Sequence, residues 1–512
     1  MPRYFPDFDT FCQLAKDHDV VPVYRQLLAD RLTPVTAFEV LGRDEHAFLL
    51  ESVVGGEQVG RHSFIATRPR ALYQCRNGKA IAWEQGKHLQ EFETTDPLAD
   101  LQKLIGKHRL ARDPKLPAFT GGLVGYAGYD LMRYYEAEKL ATPPTDDRGL
   151  PDVLFGLYDE LVVFDHVDKT LRVISNCRLP IADLKSEIGN QKSEMLRSAY
   201  EASCRNVDLI VQRLQQPSTL ALSEIDPSAP SANAGTGNMT RQQYEAIVEK
   251  GKEYIRAGDI FQFVPSLRMR MQSDAQPLDV YRALRVINPS PFMFYLKSPN
   301  CTLIGSSPEI LVRVADGVVT TRPLAGTRRR GKTDEEDRAL EKELLADPKE
   351  RAEHIMLVDL HRNDIGRVCE IGSVRVMEQM VIERYSHVMH ISSDVKGQLR
   401  SDMSAFDALR VSLPVGTVSG APKIRAMQII DELEPTRRGP YGGAVGYFDF
   451  AGNTDTCIAL RTIVYRNGSY DVQAGAGVVA DSVPASEYEE CMNKARAMLK
   501  AVELATRGME MR

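Results

Sequence analysis

The sequence predicts an α+β fold in which helices pack outside large antiparallel sheets. Strand-like segments come in consecutive runs, and FMFYLKS at 292–298 is followed by LIGSSPEILVRV at 303–314. Longer helical patterns separate these runs, and TRQQYEAIVEKGKEYIRAG begins at a predicted N-cap, Thr240, and ends at a predicted stop, Gly258. Consecutive strands indicate antiparallel sheets, because parallel strands need a crossover of about a dozen residues or more between them.

Similar patterns predict further elements along the whole chain. Residues 181–216 have a helical pattern. Alternating or β-branched segments predict strands. These segments are AFLLESVV, DVLFGLYDELVVFDH, KTLRVISNC, DIFQFVPSLRMRM, AVGYFDF, CIALRTIVY and SYDVQAGAGVV.

One segment is typical of a linker. Residues 222–238, LSEIDPSAPSANAGTGN, are rich in Ser, Pro, Ala, Gly and Asn and have no apolar periodicity. We therefore predict an N-terminal part at 1–221 and a C-terminal part at 239–512. The length of 512 residues is enough for roughly two to four domains.

The composition is that of a globular protein with 43% hydrophobic and 26% charged residues. No apolar run is long enough to cross a membrane and the start lacks a signal-peptide pattern, so we expect a cytoplasmic protein without membrane contact. The formal net charge of −6 and the absence of a recognised nucleic-acid motif argue against nucleic-acid binding. Eight scattered cysteines without a CxxC pair are expected to be reduced thiols. Arg328, Arg329 and Arg330 are interpreted as a solvated turn.

Two acidic pairs are candidate cation ligands. Glu350 and Glu353 are three residues apart at the start of a predicted helix, and Glu487 and Glu490 are three apart in a second one. Carboxylate oxygens are the ligands that Mg²⁺ prefers, so two such helices could share an ion. Simpler interpretations remain open, because Asp347 and Pro348 would begin a helix on which Glu350 closes a capping box.

The second pair also has a simple interpretation. With Ser486 as the predicted N-cap, Glu487, Glu490 and Lys494 form an ordinary charged helix face. QAGAGVVA at 473–480 fits a dinucleotide fingerprint by letters only, because no helix pattern follows it. No cysteine lies in the glycine-flanked turn of a glutaminase nucleophile.

A set of ordered motifs resembles the large, chorismate-binding subunit of anthranilate synthase, within the family of chorismate-utilising enzymes. The motifs are FLLES at 48–52, GDIFQ at 258–262, NPSPFMF at 288–294, GSSPE at 305–309, RPLAGTRRRG at 322–331, DPKERAEHIMLVDLHRNDIGRV at 347–368, HVMH at 387–390, LPVGTVSGAPK at 413–423, GPYGGAVGY at 439–447, CIALRT at 457–462, QAGAG at 473–477 and SEYEECMNKA at 486–495. The resemblance implies the fold of that subunit, a sandwich of large antiparallel sheets with helices packed outside.

The resemblance also implies a reaction and the residues that perform it. Ammonia adds to the chorismate ring as the C4 hydroxyl departs, and pyruvate is then eliminated to leave an aromatic amine. The implied catalytic residues are Glu309 as general acid, His390 in pyruvate elimination, Gln262 and Glu350. The implied Mg²⁺ ligands are Glu353 and Glu490, with Glu350 and Glu487 beside them. The implied substrate contacts are Gly326, Thr327, Tyr441, Arg461, Gly475, Gly477 and Lys494.

Two positions distinguish the chain from other branches of this family. Relatives that add water carry a lysine base where this chain has Gln262, and an amide cannot deprotonate water. The aminodeoxychorismate synthases typically have a nucleophilic lysine where this chain has Ala325. Alternatives left open are an aminodeoxychorismate or aminodeoxyisochorismate synthase and a catalytically silent tryptophan sensor.

The resemblance further implies regulation and a partner. Tryptophan, as a feedback inhibitor, would bind between the N-terminal LLES motif and NPSPFM, and Phe292 stands where tyrosine is common in relatives. The implied tryptophan-binding residues are Leu50, Glu51, Ser52, Asn288, Pro289, Pro291, Phe292, Met293, Val445 and Tyr447. Because no glutaminase motif is present, ammonia from glutamine would require a separate glutamine amidotransferase subunit, with the N-terminal part contributing to its contact.

Overall fold

Two large antiparallel sheets form the centre of the protein. The structure is a computed structural model that describes residues 3–52, 60–179, 190–221, 223–230, 234–385 and 388–510. Within these residues every strand pairing in the sheets is antiparallel. The predicted α+β fold with large antiparallel sheets is confirmed.

The helices of the described residues are mostly short. They are α1 (Phe8–Leu14), α2 (Pro34–Leu41), α3 (Pro97–Ile105), α4 (Asn190–Leu214), α5 (Arg241–Arg256), α6 (Pro277–Ile287), α7 (Asp334–Ala346), α8 (Pro348–Gly366), α9 (Ala405–Ser412), α10 (Lys423–Leu433) and α11 (Pro484–Glu510), with a 3₁₀ helix at Tyr129–Tyr134.

The strands up to the middle of the chain are β1 (Val20–Leu28), β2 (Ala47–Glu51), β3 (His62–Thr67), β4 (Ala71–Arg76), β5 (Lys79–Glu84), β6 (Gln90–Glu93), β7 (Gly122–Ala127), β8 (Val153–Tyr158), β9 (Glu160–Asp165), β10 (Thr170–Arg178), β11 (Thr236–Gly237), β12 (Gln262–Phe263), β13 (Ser266–Gln272) and β14 (Phe292–Lys297). The remaining strands are β15 (Thr302–Ser307), β16 (Ile310–Ala315), β17 (Val318–Thr321), β18 (Leu324–Arg329), β19 (Arg375–Val376), β20 (Val381–Arg384), β21 (Val388–Ser392), β22 (Val395–Gln398), β23 (Gly420–Ala421), β24 (Ala444–Asp449), β25 (Thr454–Ile458), β26 (Thr462–Arg466) and β27 (Ser469–Gly475).

Each large sheet contains strands from both ends of the chain. In the described residues sheet A has the order β1-β10-β9-β3-β2-β14-β15-β26-β27-β13-β11, and sheet B has the order β19-β22-β17-β16-β25-β24-β7-β8-β4-β5-β6. Strand β2 pairs with β14, with Glu51 opposite Met293, and β7 pairs with β24, with Gly125 opposite Gly446. The segments on either side of the predicted linker therefore share both sheets.

The two sheets pack face to face, and helices cover their outer faces. One apolar cluster joins side chains of sheet A, such as Phe294, to side chains of sheet B, such as Tyr126. A second cluster packs α2, α4, α5, α6, α10 and α11 on sheet A, and a third packs α3, α8 and α9 on sheet B. None of the helices in the described residues is both long and apolar enough to cross a lipid bilayer.

Local capping residues in the sequence predicted several helix ends correctly. Thr240 is the N-cap of α5 and forms a capping box with Gln243, and the left-handed Gly258 follows the helix end. Asp347 is the N-cap of α8 and accepts from the backbone N–H groups of Lys349 and Glu350. The prediction that Ser486 caps α11 is wrong, because the helix already begins at Pro484, a residue that favours the first helical position.

Some predictions fall partly on residues that are not described. The predicted helix at 181–216 is observed as α4, while residues 181–189 lie outside the described residues. The same holds for Val53 and Val54 of the first predicted strand and for His387 of the HVMH motif. In the predicted linker, residues 222 and 231–233 lie outside them as well.

Three segments predicted as single strands cross from one sheet to the other. LIGSSPEILVRV divides into β15 of sheet A and β16 of sheet B, and CIALRTIVY divides into β25 of sheet B and β26 of sheet A. DVLFGLYDELVVFDH divides between β8 and β9 in the same way. Side chains before and after each crossing are mostly buried, so the apolar pattern alone does not reveal where the strand changes sheets.

A buried ion pair between Arg438 and Glu434 fixes the loops beside sheet A. The Arg438 guanidinium donates to Glu434 Oε2 at 3.0 Å and to the carbonyls of Val418 and Val264 at 2.6 Å each. Glu434 Oε1 in turn accepts from the backbone N–H of Ser266 at 2.7 Å. Arg438 and Glu434 are only 2% and 5% exposed, so neither charge has solvent as an alternative partner.

We predict that Arg438→Met lowers the free energy of unfolding by about 3–5 kcal/mol, because Glu434 would remain as a buried charge without its partner. Urea unfolding followed by circular dichroism measures this loss. As a control, Arg43→Met removes an ion pair with Glu39 in which the arginine side chain is 53% exposed, and it should cost less than about 1 kcal/mol. Equal effects of the two substitutions would contradict the structural role of Arg438.

Candidate functional site

The candidate site lies where two neighbouring strands leave one sheet and enter the other. Pro308 and Glu309 connect β15 to β16, and residues 459–461 connect β25 to β26. The two connections are bonded to each other, because the N–H of Ile458 donates to the Glu309 carbonyl at 3.0 Å and that of Ser306 to the Arg461 carbonyl at 3.1 Å. The sheets diverge here, and the charges of Glu309 and Arg461 interact with each other. We refer to the region around these two residues as the cleft.

Glu309 is a buried carboxyl group with an unsatisfied oxygen. The residue is 5% exposed, and its Oε1 has no hydrogen-bond partner among the described residues. Burial raises the pKa of Glu309 to about 8, while a hydrogen bond from the Leu324 backbone and the charges of Lys494 and Arg461 act in the opposite direction. Glu309 is therefore mostly protonated at neutral pH and can donate a proton within the cleft.

Arg461 is a cation without a counter-ion in the described part of the chain. Its φ of 47° is unusual for a residue other than glycine, and its guanidinium forms no hydrogen bond or ion pair with a described residue. Burial lowers the pKa of Arg461, opposed by Tyr385 and Glu309, which face it. A partly buried guanidinium of this kind is suited to bind a carboxylate.

A small three-stranded sheet places His390 and Thr327 opposite each other. Its order is β18-β21-β20, and a bulge in β18 lies at Gly326, whose φ is 66°. The His390 Nδ1 lies 3.0 Å from the Gly326 carbonyl and 3.0 Å from the Thr327 hydroxyl. A carbonyl only accepts, so Nδ1 carries the hydrogen and Nε2 is left as an acceptor. Burial lowers the pKa of His390 to about 4, which keeps the ring neutral.

The acidic residues of α8 and α11 face each other across the cleft. Burial raises the pKa of Glu353, and the nearby charges of Glu350 and Glu490 raise it further. The Gln262 amide donates to Glu353 at 3.4 Å and opposes this shift. Burial and the charge of Glu490 also raise the pKa of Glu487. The two pairs predicted from sequence therefore interact, and the shared negative charge favours a bound cation.

The donors have the right chemistry for a divalent cation but are not gathered around one point. Among the described residues no group of three or more His, Cys, Asp or Glu side chains is arranged to hold a metal ion. Glu490 instead has an ion pair of 2.7 Å with Lys494, and Glu350 accepts from Arg328 at 3.1 Å. The Glu350 side chain thus turns towards β18 instead of closing a capping box at the start of its helix.

Glycines let polar side chains approach the backbone closely at 475 and 477. A Cβ atom on Gly475 would lie 2.9 Å from the Tyr441 hydroxyl, and one on Gly477 would lie 2.5 Å from the Gln262 amide nitrogen. Lys494 donates to the Gly475 carbonyl at 3.0 Å. The Tyr441 hydroxyl, the Gln262 amide and the Lys494 ammonium group therefore lie close to the backbone of this segment.

A cavity of about 550 Å³ lies behind the cleft, and we refer to it below as the rear cavity. Most of the predicted tryptophan-binding residues line it, namely Leu50, Glu51, Ser52, Pro291, Phe292, Met293, Val445 and Tyr447. Asn288 and Pro289 do not line it. Asn288 is instead the C-cap of α6, and its side chain donates to the Ser306 hydroxyl at 3.0 Å. Its contacts are therefore with the fold and not with the cavity.

Several groups at the site were not predicted from the sequence. Thr417 has a buried hydroxyl without a described partner, and Tyr385 packs its ring against His390 at a centroid distance of 5.6 Å. Neither residue has a sequence signal beyond its position within or next to a motif. The arginine cluster is also different from the predicted turn, because Arg328 lies in β18 and pairs with Glu343, Asp347 and Glu350.

Comparison with known proteins identifies relatives along the whole chain. Residues 45–500 match the family profile described as chorismate binding enzyme. Anthranilate synthase component 1 of Acetivibrio thermocellus is 47% identical over 502 residues, which cover 98% of this chain and 99% of the relative. The Pseudomonas aeruginosa protein of the same name is 47% identical over 507 residues, covering 98% and 99%.

A solved structure supports the same relationship. The crystal structure of anthranilate synthase component I from Streptococcus pneumoniae TIGR4 superposes with a TM-score of 0.74 at 38% sequence identity. The match covers 92% of this chain and 99% of the pneumococcal chain.

The protonation of Glu309 has a consequence for stability. Its pKa rises from 4.5 in the unfolded chain to about 8 in the folded protein. Between these values the folded protein holds a proton that the unfolded chain has released, so stability falls as the pH rises. We predict that Glu309→Gln becomes progressively more stable than the wild type from about pH 4.5 to about pH 8 and gains no more above that.

Urea unfolding at a series of pH values measures this difference. Glu253→Gln is the control, because Glu253 is exposed and Lys250 lowers the pKa of its carboxyl group below 4.5. The difference in unfolding free energy between Glu253→Gln and the wild type should therefore stay constant from about pH 4.5 to about pH 8. A constant difference for Glu309→Gln as well would show that Glu309 is ionised in the folded protein throughout.

Proposed function

We propose a function for this chain from the premise that it belongs to the chorismate-binding enzyme family, as a full-length relative of anthranilate synthase component 1. It converts chorismate and ammonia into anthranilate and pyruvate, a lyase reaction that is the first committed step of tryptophan biosynthesis. The observation that carries the proposal is that a buried, protonated Glu309 lies in one cleft with Arg461, whose guanidinium has no hydrogen-bond or ion-pair partner among the described residues.

The first half of the reaction requires an acid and an anion site. Arg461 binds one chorismate carboxylate, and Lys494 and the Tyr441 hydroxyl, which both lie against Gly475, contact the rest of the substrate. Glu309 gives its proton to the C4 hydroxyl, which leaves as water while ammonia adds to the ring. Arg461 and Lys494 lie near Glu309, and their charges then stabilise the carboxylate that remains.

The second half requires a base. The imidazole of His390 is neutral, and its Nδ1 is bonded to the Gly326 carbonyl, so Nε2 is available as an acceptor. Nε2 can therefore take a proton from the substrate ring as pyruvate leaves. Gln262 is engaged with Glu353 through its amide and has no basic group to activate water. Ala325 offers no nucleophile on β18. Ammonia as the attacking species therefore suits the residues that are present.

The proposal includes Mg²⁺ as cofactor. Glu353 and Glu490 would hold the ion, with Glu350 and Glu487 beside them, directly or through water. Bound Mg²⁺ supplies Lewis-acid stabilisation of the substrate's negative charge. Lys494 would then exchange its ion pair with Glu490 for the substrate carboxylate.

Regulation and partnership complete the proposal. Tryptophan binds in the rear cavity between the LLES and NPSPFM motifs and lowers the affinity for chorismate. A glutamine amidotransferase subunit supplies ammonia, with residues 1–221 contributing to tryptophan regulation and partner contact and 239–512 forming the chorismate-binding part. The proposed location is the cytoplasm.

We predict that the purified chain forms anthranilate and pyruvate from chorismate, Mg²⁺ and ammonium but does not use glutamine. Products are identified by mass spectrometry and by anthranilate fluorescence. Glu309→Gln is the inactive control and should lower kcat by about 10²-fold or more, because an amide cannot donate the required proton.

Other outcomes of the same assay separate the competing functions. An amine that retains its enolpyruvyl group would identify an aminodeoxychorismate or aminodeoxyisochorismate synthase. Absence of chorismate turnover would favour a silent tryptophan sensor. Glutamine use by the isolated chain would contradict the need for a separate subunit.

The metal assignment leads to a prediction for Glu353→Gln. Loss of one carboxylate should lower activity about 10–100-fold and weaken Mg²⁺ binding measured by calorimetry, and EDTA should abolish wild-type activity reversibly. Asp359→Asn is the control, because Asp359 is on the same helix with a side chain that is 75% exposed. Full activity of Glu353→Gln with an unchanged Mg²⁺ requirement would disprove the assignment.

A further inference from the structure

The rear cavity and the candidate active site share a wall that is one residue thick. Pro308 lines the cavity and directly precedes Glu309. Leu324 also lines the cavity, and its backbone N–H bonds to the Glu309 carboxyl group. Tyr385 also lines the cavity, and its ring packs against His390. A ligand in the cavity can therefore touch residues that contact the catalytic groups directly.

Tyr385 has the most connections within this wall. Its ring lies edge-on to the His390 ring, with centroids 5.6 Å apart and an interplanar angle of 65°. Tyr385 also interacts electrostatically with Arg461 and Glu309. It thus faces the base, the acid and the anion-binding cation of the proposed reaction from the side of the cavity.

A chain of polar contacts fixes the Tyr385 side chain. Its hydroxyl donates to Glu383 Oε2 at 2.7 Å, and Glu383 Oε1 lies 2.6 Å from the Arg322 guanidinium. Arg322 also donates to the hydroxyl of Ser392 at 2.8 Å, two residues beyond His390 on β21. Glu383 and Arg322 line the cavity as well. A ligand that displaces any of these side chains would therefore also disturb the contacts that they make with β21.

Sheet A and the small sheet, which each form part of the cavity lining, differ in how firmly they are anchored. On the side of sheet A, Glu51 accepts from Tyr281 at 2.6 Å and from Arg285 at 3.2 Å, and it is 5% exposed. The small sheet on the other side has its own apolar cluster of only three fully buried residues, Leu344, Met389 and Ile391. A side with few buried apolar contacts yields more easily to a ligand than one built into a large sheet.

We propose that Tyr385 is a positioning residue that packs against His390, supports the ring orientation set by Gly326 and Thr327, and carries the effect of an occupied rear cavity to the active site. The inference rests on the proposed function, since it takes tryptophan as the ligand of the cavity and chorismate as the ligand of the cleft. Tryptophan acts by displacing the Tyr385–Glu383 pair, which alters the surroundings of His390 and Arg461 and weakens chorismate binding.

Tyr385→Phe tests this role because it removes the bond to Glu383 and keeps the aromatic ring. We expect kcat to fall about tenfold, the effect of losing one hydrogen bond to a charged group in a positioned site. Tryptophan should still bind the variant by calorimetry, with a Kd no weaker than that of the wild type because the bond to Glu383 no longer has to be broken. It should no longer raise the KM for chorismate. Glu383→Gln weakens the same bond from the other partner and should show the same loss of inhibition.

A matched control is available elsewhere in the fold. Tyr73→Phe removes another partly buried tyrosine hydroxyl bond to a carboxylate, the 3.0 Å bond to Asp100, far along the chain from both sites. It should leave kcat, KM and tryptophan inhibition at wild-type values. Thermal unfolding of all variants confirms that each is folded. Wild-type kcat and full inhibition in Tyr385→Phe would overturn the inference.

A second measurement does not depend on turnover. In protein labelled with ¹⁵N-histidine, the His390 signal is assigned by its absence in His390→Gln. Tryptophan should shift this signal in the wild type and not in Tyr385→Phe. If the wild type does not turn over chorismate, the proposed function fails while this measurement still decides the coupling. Failure of tryptophan to bind, or an equal shift in both proteins, would overturn the inference.

Discussion

The ion pair between Arg438 and Glu434 is the constraint on which the geometry of the cleft depends. A guanidinium that is 2% exposed must have its hydrogen bonds satisfied by protein, and it satisfies them with backbone from segments that carry site residues. Val264 follows Gln262 closely, and Val418 follows Thr417. The guanidinium carbon also lies 5.7 Å from the centre of the Tyr441 ring. This one ion pair thus fixes the relative positions of the three segments that contain Val264, Val418 and Tyr441.

The polar groups of the cleft form two environments that differ in charge. Around Glu309 and His390 burial dominates, so both groups are uncharged at neutral pH, the carboxyl group as a proton donor and the imidazole as an acceptor. Around Glu353 and Glu490 like charges accumulate and attract cations. The separation of a neutral acid and base from a charged ion-binding region allows both kinds of chemistry in one cleft.

Sequence patterns predicted the fold class and individual helix ends but not the sheet crossings. The caps at Thr240 and Asp347 are local interactions, so their residue types are sufficient to identify them. The division at Pro308 depends on which distant strand lies beside each half, and both halves are mostly buried and apolar. At the site, Glu309 and His390 were named by resemblance to a family. Tyr385 was not, because an aromatic residue at the end of a strand usually indicates packing.

The sharing of both sheets by the two ends of the chain has a consequence for biosynthesis. Strand β2 is complete after residue 51, yet its partner β14 begins only at residue 292. Strand β7 likewise requires β24, more than 300 residues later. During translation the early strands therefore leave the ribosome with unpaired edges, a state prone to aggregation. These edges stay unpaired until the second half of the chain supplies their neighbours.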